Sequence, residues 1–374
     1  MKIGILSCNI HCNFTNYGSA LQSYALAKSI SKMGYEPVLI DYCPEVLLGV
    51  SPLEPIKNNW DKDSETRKMC ELSMPAIIEN NKKYEYFFTN RFVRTKYYDN
   101  NNFNDLANIV DGFVCGSDTI FCIDEFGFDN GYYANFDCMK GKSVSYACSF
   151  GDCSFEKKEN LFKFDKLIKN FNAVGIREKK YLEFVKRHTD RPVERVIDPT
   201  LLLTAEEYES ICEPRLISSD YILYYSRRYN KEMENFVINL AKKENLKVVE
   251  ISLRATNKNL GHIMKYDAGV EEFVSLIKNS KYVVTNSFHG MLFSIIFKKQ
   301  FYAFSRASCD TKIIEILSLL GVDDRLIKTS QKIDTSVLNK DIDYNAVEKR
   351  LIKEREKSLK YLYFELKECL PSKN

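Results

Sequence analysis

The side chains best suited to chemistry sit in short polar stretches that interrupt apolar runs. Asn286-Ser287-Phe288-His289-Gly290 follows the β-branched run Tyr282-Val283-Val284-Thr285 and opens a mostly apolar stretch ending near Lys298. That is the grammar of strand, turn and helix. Free backbone N–H groups at such a helix start attract anions, so an imidazole there faces a natural anion site. The structural alternative is Ser287 as a plain N-cap with His289 packed beside it; the density of polar residues at 286–290 favours the site. Asp118 closes Cys115-Gly116-Ser117-Asp118 and is a candidate base or hydroxyl-binding group, or else a turn cap. Arg177 follows Ala173-Val174-Gly175-Ile176, where a guanidinium can grip carboxylate or phosphate bidentately or simply pair with Glu178.

Two further stretches belong with these. The loop from Cys8 to Ser19 exceeds the usual 2–6 residues of a βα connection, and its tail Asn16-Tyr17-Gly18-Ser19 can cap the next helix or offer N–H groups to a ligand. Arg306, Asp310 and Lys312 enter a helix expected from Ile313 to Leu320, where the cations can complete an anion pocket.

The elements that must hold these residues alternate between strand and helix. Ile3–Ser7, Pro37–Asp41, Gly112–Cys115, Ser143–Ala147, Ala173–Ile176 and Val193–Ile197 read as strands, with helices at Ala20–Met33, Ala76–Phe92, Phe155–Asn170 and Lys179–Arg187. The alternation implies a parallel, doubly wound sheet. Residues 42–73 carry Pro44, Pro52 and Pro55 and read as an irregular excursion. The pattern breaks at Asp198-Pro199 and a new series starts at Tyr221, with strands to Tyr225, at Lys247–Ile251, Tyr282–Thr285 and Phe301–Phe304. The expected division is residues 1–200, residues 201–340 and an exposed amphipathic helix within 341–374. Tyr84, Tyr86, Phe87, Phe88 and Phe92 are assigned to core or interface.

Composition narrows the function classes. A chain of 374 residues fits two domains. A net charge of +3 lacks the basic surplus of a dedicated nucleic-acid binder. No apolar run approaches the ~20 residues of a spanning helix, which suggests a soluble, cytoplasmic protein. The 12 cysteines include no C-x-x-C pair, so they are expected to be reduced structural thiols with no metal site. Neither G-x-G-x-x-G nor a P-loop is present, and a dinucleotide or P-loop site is unsupported.

Asn16–Gln22, Cys115–Asp118, Gly175–Lys179, Ile197–Leu203 and Lys281–Phe304, in that order and spacing, resemble the polysaccharide pyruvyl transferase family over roughly residues 1 to 330. The resemblance implies a glycosyltransferase-B-like architecture, two Rossmann-like domains facing across a cleft. It also implies transfer of pyruvate from phosphoenolpyruvate, the co-substrate, onto two hydroxyls of a sugar in a surface-polysaccharide precursor, giving a cyclic ketal and phosphate without another cofactor. His289 then becomes the general acid or phosphate partner and Asp118 the base. Arg177, Ser287, Arg306 and Lys312 bind the donor, while Asn16, Tyr17 and Ser19 meet the acceptor. The expected acceptor is a lipid-linked or nucleotide-linked saccharide, reached at the inner membrane face through Lys349, Arg350, Lys353 and Arg355. Phe304–Cys309 departs from the family pattern. The alternatives are a nucleotide-sugar-dependent glycosyltransferase of the same shape, told apart by binding of UDP or GDP, and a sugar-binding protein with a decayed site.

Overall fold

A computed structural model describes residues 1–57, 63–306, 310–328 and 340–370. Ala307, Ser308 and Cys309 of the stretch that departs from the family pattern lie outside the described residues, as do residues 329–339 at the expected end of the second domain.

The first half builds a seven-stranded parallel sheet from β1 (Lys2–Leu6), β2 (Glu36–Tyr42), β3 (Arg94–Tyr98), β4 (Gly112–Cys115), β5 (Ser143–Cys148), β6 (Ala173–Ile176) and β7 (Val193–Arg195), in the order β3-β2-β1-β4-β5-β6-β7. The second half builds a six-stranded parallel sheet from β8 (Tyr221–Tyr225), β9 (Lys247–Ile251), β10 (Ile263–Met264), β11 (Tyr282–Thr285), β12 (Gln300–Phe304) and β13 (Leu326–Ile327), in the order β10-β9-β8-β11-β12-β13. Strands β4, β5, β6 and β8 are buried at every position, as expected of parallel strands covered by helices on both faces. Strand order reverses between β1 and β4 in one sheet and between β8 and β11 in the other. Such switch points leave a crevice beyond the strand ends.

Two helices of the first half carry much of its contact with the second. The helix Tyr17–Lys32 packs on Pro199–Leu202, Val270–Lys278 and Phe288–Ile296. Tyr17 at its start stacks on Phe273, with centroids 4.4 Å apart, and donates its hydroxyl to Ala268 O at 2.8 Å. The helix Ser64–Arg91 reaches the same face: Asn80 Nδ2 donates to the Tyr17 hydroxyl at 3.0 Å, and Lys83 pairs with Glu272 at 2.8 Å.

Three expectations change. The helix expected from Ala76 starts at Ser64, capped by the Asp63 side chain, and carries Pro75 inside. Its polar opening Ser64-Glu65-Thr66-Arg67-Lys68 hides it from an apolar-period search. Within the aromatic group Tyr84, Phe87 and Phe88 are buried, whereas Tyr86 is 60% exposed. The closing helix, Tyr344–Cys369, is amphipathic but not a free surface helix. It returns to the first domain, where Tyr361 donates to Ser145 O at 3.0 Å, Ser358 Oγ accepts from Ile197 N at 3.1 Å, and Leu362 and Leu366 are fully buried. Arg355 donates to Leu201 O at 2.9 Å and Arg350 to Leu320 O at 2.6 Å. Two of the four cations assigned to a lipid surface are therefore engaged by the protein.

Among the described residues, no helix is long and apolar enough to cross a membrane, no group of three His, Cys, Asp or Glu side chains is placed to hold a metal ion, and the cysteines are free thiols.

Candidate functional site

Both switch points open onto one cleft of about 750 Å3. Strand β11 ends at Thr285, and Ser287 caps the helix Phe288–Ile296 by accepting from Gly290 N at 3.2 Å. His289 thus sits in the first turn. Its ring lies against the backbone of Gly18 from the other half; a Cβ on that glycine would fall 1.9 Å from Nδ1. Only glycine lets the Tyr17–Lys32 helix come this close.

Asp198 lies beneath the ring. Its Oδ2 stands 3.4 Å from His289 Nε2 and 3.0 Å from Arg177 Nη2. Arg177 Nη2 also donates to Ser117 Oγ at 2.6 Å, and its Cζ lies 5.1 Å from the Phe288 ring centroid. Arg177 and Asp198 are both nearly inaccessible, at 6% and 2%. Burial would raise the Asp198 carboxyl, but the Arg177 guanidinium and then His289 hold it well below the usual carboxylate range. Burial would likewise lower Arg177, and Asp198 and Asp118 reverse this. His289 Nε2 is buried facing Asp198 Oδ2 and makes no hydrogen bond of good geometry with any described residue, so the contact with the carboxylate is one of charge and position.

Asp118 stands at the opposite switch point with φ 69°, a left-handed conformation that aspartate tolerates better than most residues. It accepts from Ser19 Oγ at 3.0 Å and lies 3.8 Å from Arg177 Nη1. Burial pushes its carboxyl up, while Arg177, His289 and Lys312 more than compensate, so it stays ionised. Arg306 and Lys312 line the same cleft, with Lys312 Nζ 5.4 Å from the Phe288 ring centroid.

The chain matches the model of the polysaccharide pyruvyl transferase family over residues 16–308. The chain belongs to that family. Among solved structures of similar shape, that of UGT73P12 from Glycyrrhiza uralensis, complexed with glycyrrhetinic acid 3-O-monoglucuronide, is 8% identical, with 99% of this chain and 96% of that one covered at a TM-score of 0.51. The UDP-GlcNAc 2-epimerase of Methanocaldococcus jannaschii is 13% identical over 95% and 92% at 0.46, and the S. aureus MnaA–UDP co-structure 14% identical over 99% and 91% at 0.45. No curated protein matches the chain. The two parallel-sheet domains have the glycosyltransferase-B-like architecture that the resemblance implied.

In this pyruvyl transferase family chain the site residues separate into those at the cleft and those behind it. His289, Ser287, Asp118, Ser19, Arg306 and Lys312 line the cleft. Arg177 does not. It sits behind His289 and Phe288 with its charge committed to Asp198, not to Glu178, so a direct grip on the donor does not follow from its position. Asn16 and Tyr17 also reach the cleft wall, but Asn16 Oδ1 caps Gly18 N at 3.1 Å and the Tyr17 hydroxyl is held by Ala268 and Asn80.

Sequence reasoning missed Asp198 as a site residue and treated Asp198-Pro199 as a break in pattern. The available signal was an aspartate directly after the apolar Val196-Ile197, followed by an apolar run in which solvent cannot reach it. It also missed the cations that follow β8 and β9, Arg227 and Arg254, which line the cleft. They sit in short loops without a repeating pattern.

Proposed function

We propose that this chain transfers pyruvate from phosphoenolpyruvate onto two hydroxyls of a saccharide in a surface-polysaccharide precursor, lipid-linked or nucleotide-linked, as a cyclic ketal. The observation that carries the proposal is the meeting of His289, backed by Asp198 at 3.4 Å, and the ionised Asp118 at one cleft that Arg306 and Lys312 also line, in a chain of the pyruvyl transferase family.

The residues fit the steps the reaction requires. His289, with Nε2 turned to Asp198, delivers a proton from its other ring nitrogen, Nδ1, to the methylene carbon of phosphoenolpyruvate, which becomes the methyl group and leaves C2 electrophilic. Asp198, facing Nε2, orients the ring and balances its charge while the ring is protonated. One sugar hydroxyl adds to C2 and gives its proton to Asp118. Phosphate then leaves with the C2–O electron pair, and the second hydroxyl closes the ketal, its proton passing to the phosphate. Arg306 and Lys312 hold the donor's anionic groups, and Ser287 stands beside them at the helix start. Arg177 acts from behind as a positioning residue. It fixes Asp198, which fixes His289.

The test is phosphate release from phosphoenolpyruvate in the presence of lipid-linked and nucleotide-linked saccharides, with the ketal identified by its added mass. Release that requires both substrates supports the proposal. Binding of UDP or GDP with no response to phosphoenolpyruvate would select nucleotide-sugar-dependent glycosyl transfer instead.

A further inference from the structure

The second sheet's strand order turns its loops into a linear series. From one side to the other run β9, β8, β11 and β12. Just past their carboxyl ends come Arg254, Arg227, His289 and Arg306, and all four line the one cleft. Adjacent strands lie about 4.8 Å apart, so Arg254 and Arg306 leave the sheet roughly 14 Å from each other. Phosphoenolpyruvate carries its carboxylate and its phosphate on the same carbon. It can occupy one end of this series, not both.

The end away from Arg306 is built, not incidental. Arg227 lies over the Phe14 ring, with Cζ 4.1 Å from its centroid, and Arg254 lies over Tyr229 at the same distance. Stacking fixes a guanidinium plane while leaving its N–H edge for an oxyanion. Asn286, itself 2% exposed, secures the loop: its Oδ1 accepts from Arg227 N at 2.8 Å and its Nδ2 donates to Arg228 O at 2.6 Å. Arg254 Nη1 donates to Glu65 at 2.6 Å, while its buried Nε has no hydrogen-bond partner among the described residues. The proposed reaction uses neither arginine.

We propose that Arg227 and Arg254 form a second anion subsite, which takes the phosphate or diphosphate ester of the acceptor while its sugar reaches towards His289. The subsite rests on phosphoenolpyruvate occupying the Arg306 end. A diphosphate ester can come from a nucleotide or from a lipid carrier, and both present the same oxyanions.

Calorimetric titration with inorganic pyrophosphate, in the presence of saturating phosphoenolpyruvate, tests this. Pyrophosphate is expected to bind the protein already occupied by phosphoenolpyruvate, and Arg227→Gln together with Arg254→Gln should weaken it roughly tenfold or more while phosphoenolpyruvate affinity stays within about twofold. Each single variant is measured alongside, with circular dichroism to confirm folding. Displacement of phosphoenolpyruvate by pyrophosphate, or equal pyrophosphate affinity in a folded variant, would overturn the subsite. If pyrophosphate binds in the arginine-dependent way but phosphoenolpyruvate itself does not bind, the donor assignment fails and the subsite stands. Parallel titrations with UDP and with farnesyl diphosphate separate the sources: the tighter of the two names the carrier class.

Discussion

Arg177 and His289 come from different domains and meet on a single atom, Oδ2 of Asp198, at 3.0 and 3.4 Å. The guanidinium therefore helps set the imidazole's position without touching the cleft. Charge, burial and ring orientation are coupled through one carboxylate.

Asp198→Asn keeps the shape but removes the charge. It leaves Arg177 buried without its main counter-ion, and breaking a buried pair from one side typically costs about 3–5 kcal/mol. A large fall in melting temperature at neutral pH is expected. The Asp198 and Asp118 carboxyls sit lower in the folded chain than unfolded, so the stability they contribute is complete above about pH 4 and is lost as pH falls further. The variant's melting temperature should therefore decline less steeply below pH 4 than the parent's. Identical acid profiles would contradict the coupling.

Gly18→Ala adds one methyl group where His289 Nδ1 already lies, 1.9 Å from the position of the new carbon. The ring must move away. Since Gly18 is at the start of a helix, alanine is tolerated by the backbone there. The outcome expected is a folded protein by circular dichroism with turnover reduced by about 10²-fold or more, of the order seen when a proton donor is lost.

His289→Ala should lower turnover by roughly 10²–10⁴-fold and leave the Michaelis constant for phosphoenolpyruvate little changed. Arg177→Lys should act differently, because a lysine keeps the charge but loses the planar guanidinium that lies against Phe288 and places Nη2 between Ser117 and Asp198. Reduced thermal stability and turnover are expected, with little effect on donor binding. A variant that mainly raises the phosphoenolpyruvate Michaelis constant would return Arg177 to the donor site.

Arg306→Gln and Lys312→Gln, by contrast, should each raise that Michaelis constant about tenfold or more, since each removes a cation from the cleft wall. Steady-state kinetics at fixed ionic strength will show it. Melting temperatures should change little, because both residues are only half-buried.

The alternating apolar runs made most of both sheets legible, because fully buried parallel strands must be apolar on both faces. Strand β3, Arg-Thr-Lys-Tyr-Tyr, escaped because an edge strand needs no such run. Strand β10 escaped because it is two residues long. His289, Asp118 and Ser287 were legible as polar residues at strand ends. The role of Asp198 was not, since it depends on which strand end from the first domain lies under the second, and no local pattern encodes that. The same blindness assigned Arg177 to the donor: a strand-end arginine looks identical whether it faces the cleft or a carboxylate behind it.

The return of the Tyr344–Cys369 helix to the first domain has a consequence for the order of synthesis. Gly112 and Gly175 of the first sheet lie directly under Leu370 and Tyr361, and a side chain at either glycine would collide with them. As the chain leaves the ribosome, all seven strands of that sheet are complete before the residues that cover this patch exist. The first domain must wait, with part of its apolar surface bare, until the whole second domain has been made. A fragment ending near residue 200 is therefore expected to be aggregation-prone, and to become soluble when the 340–374 segment is supplied as a separate peptide.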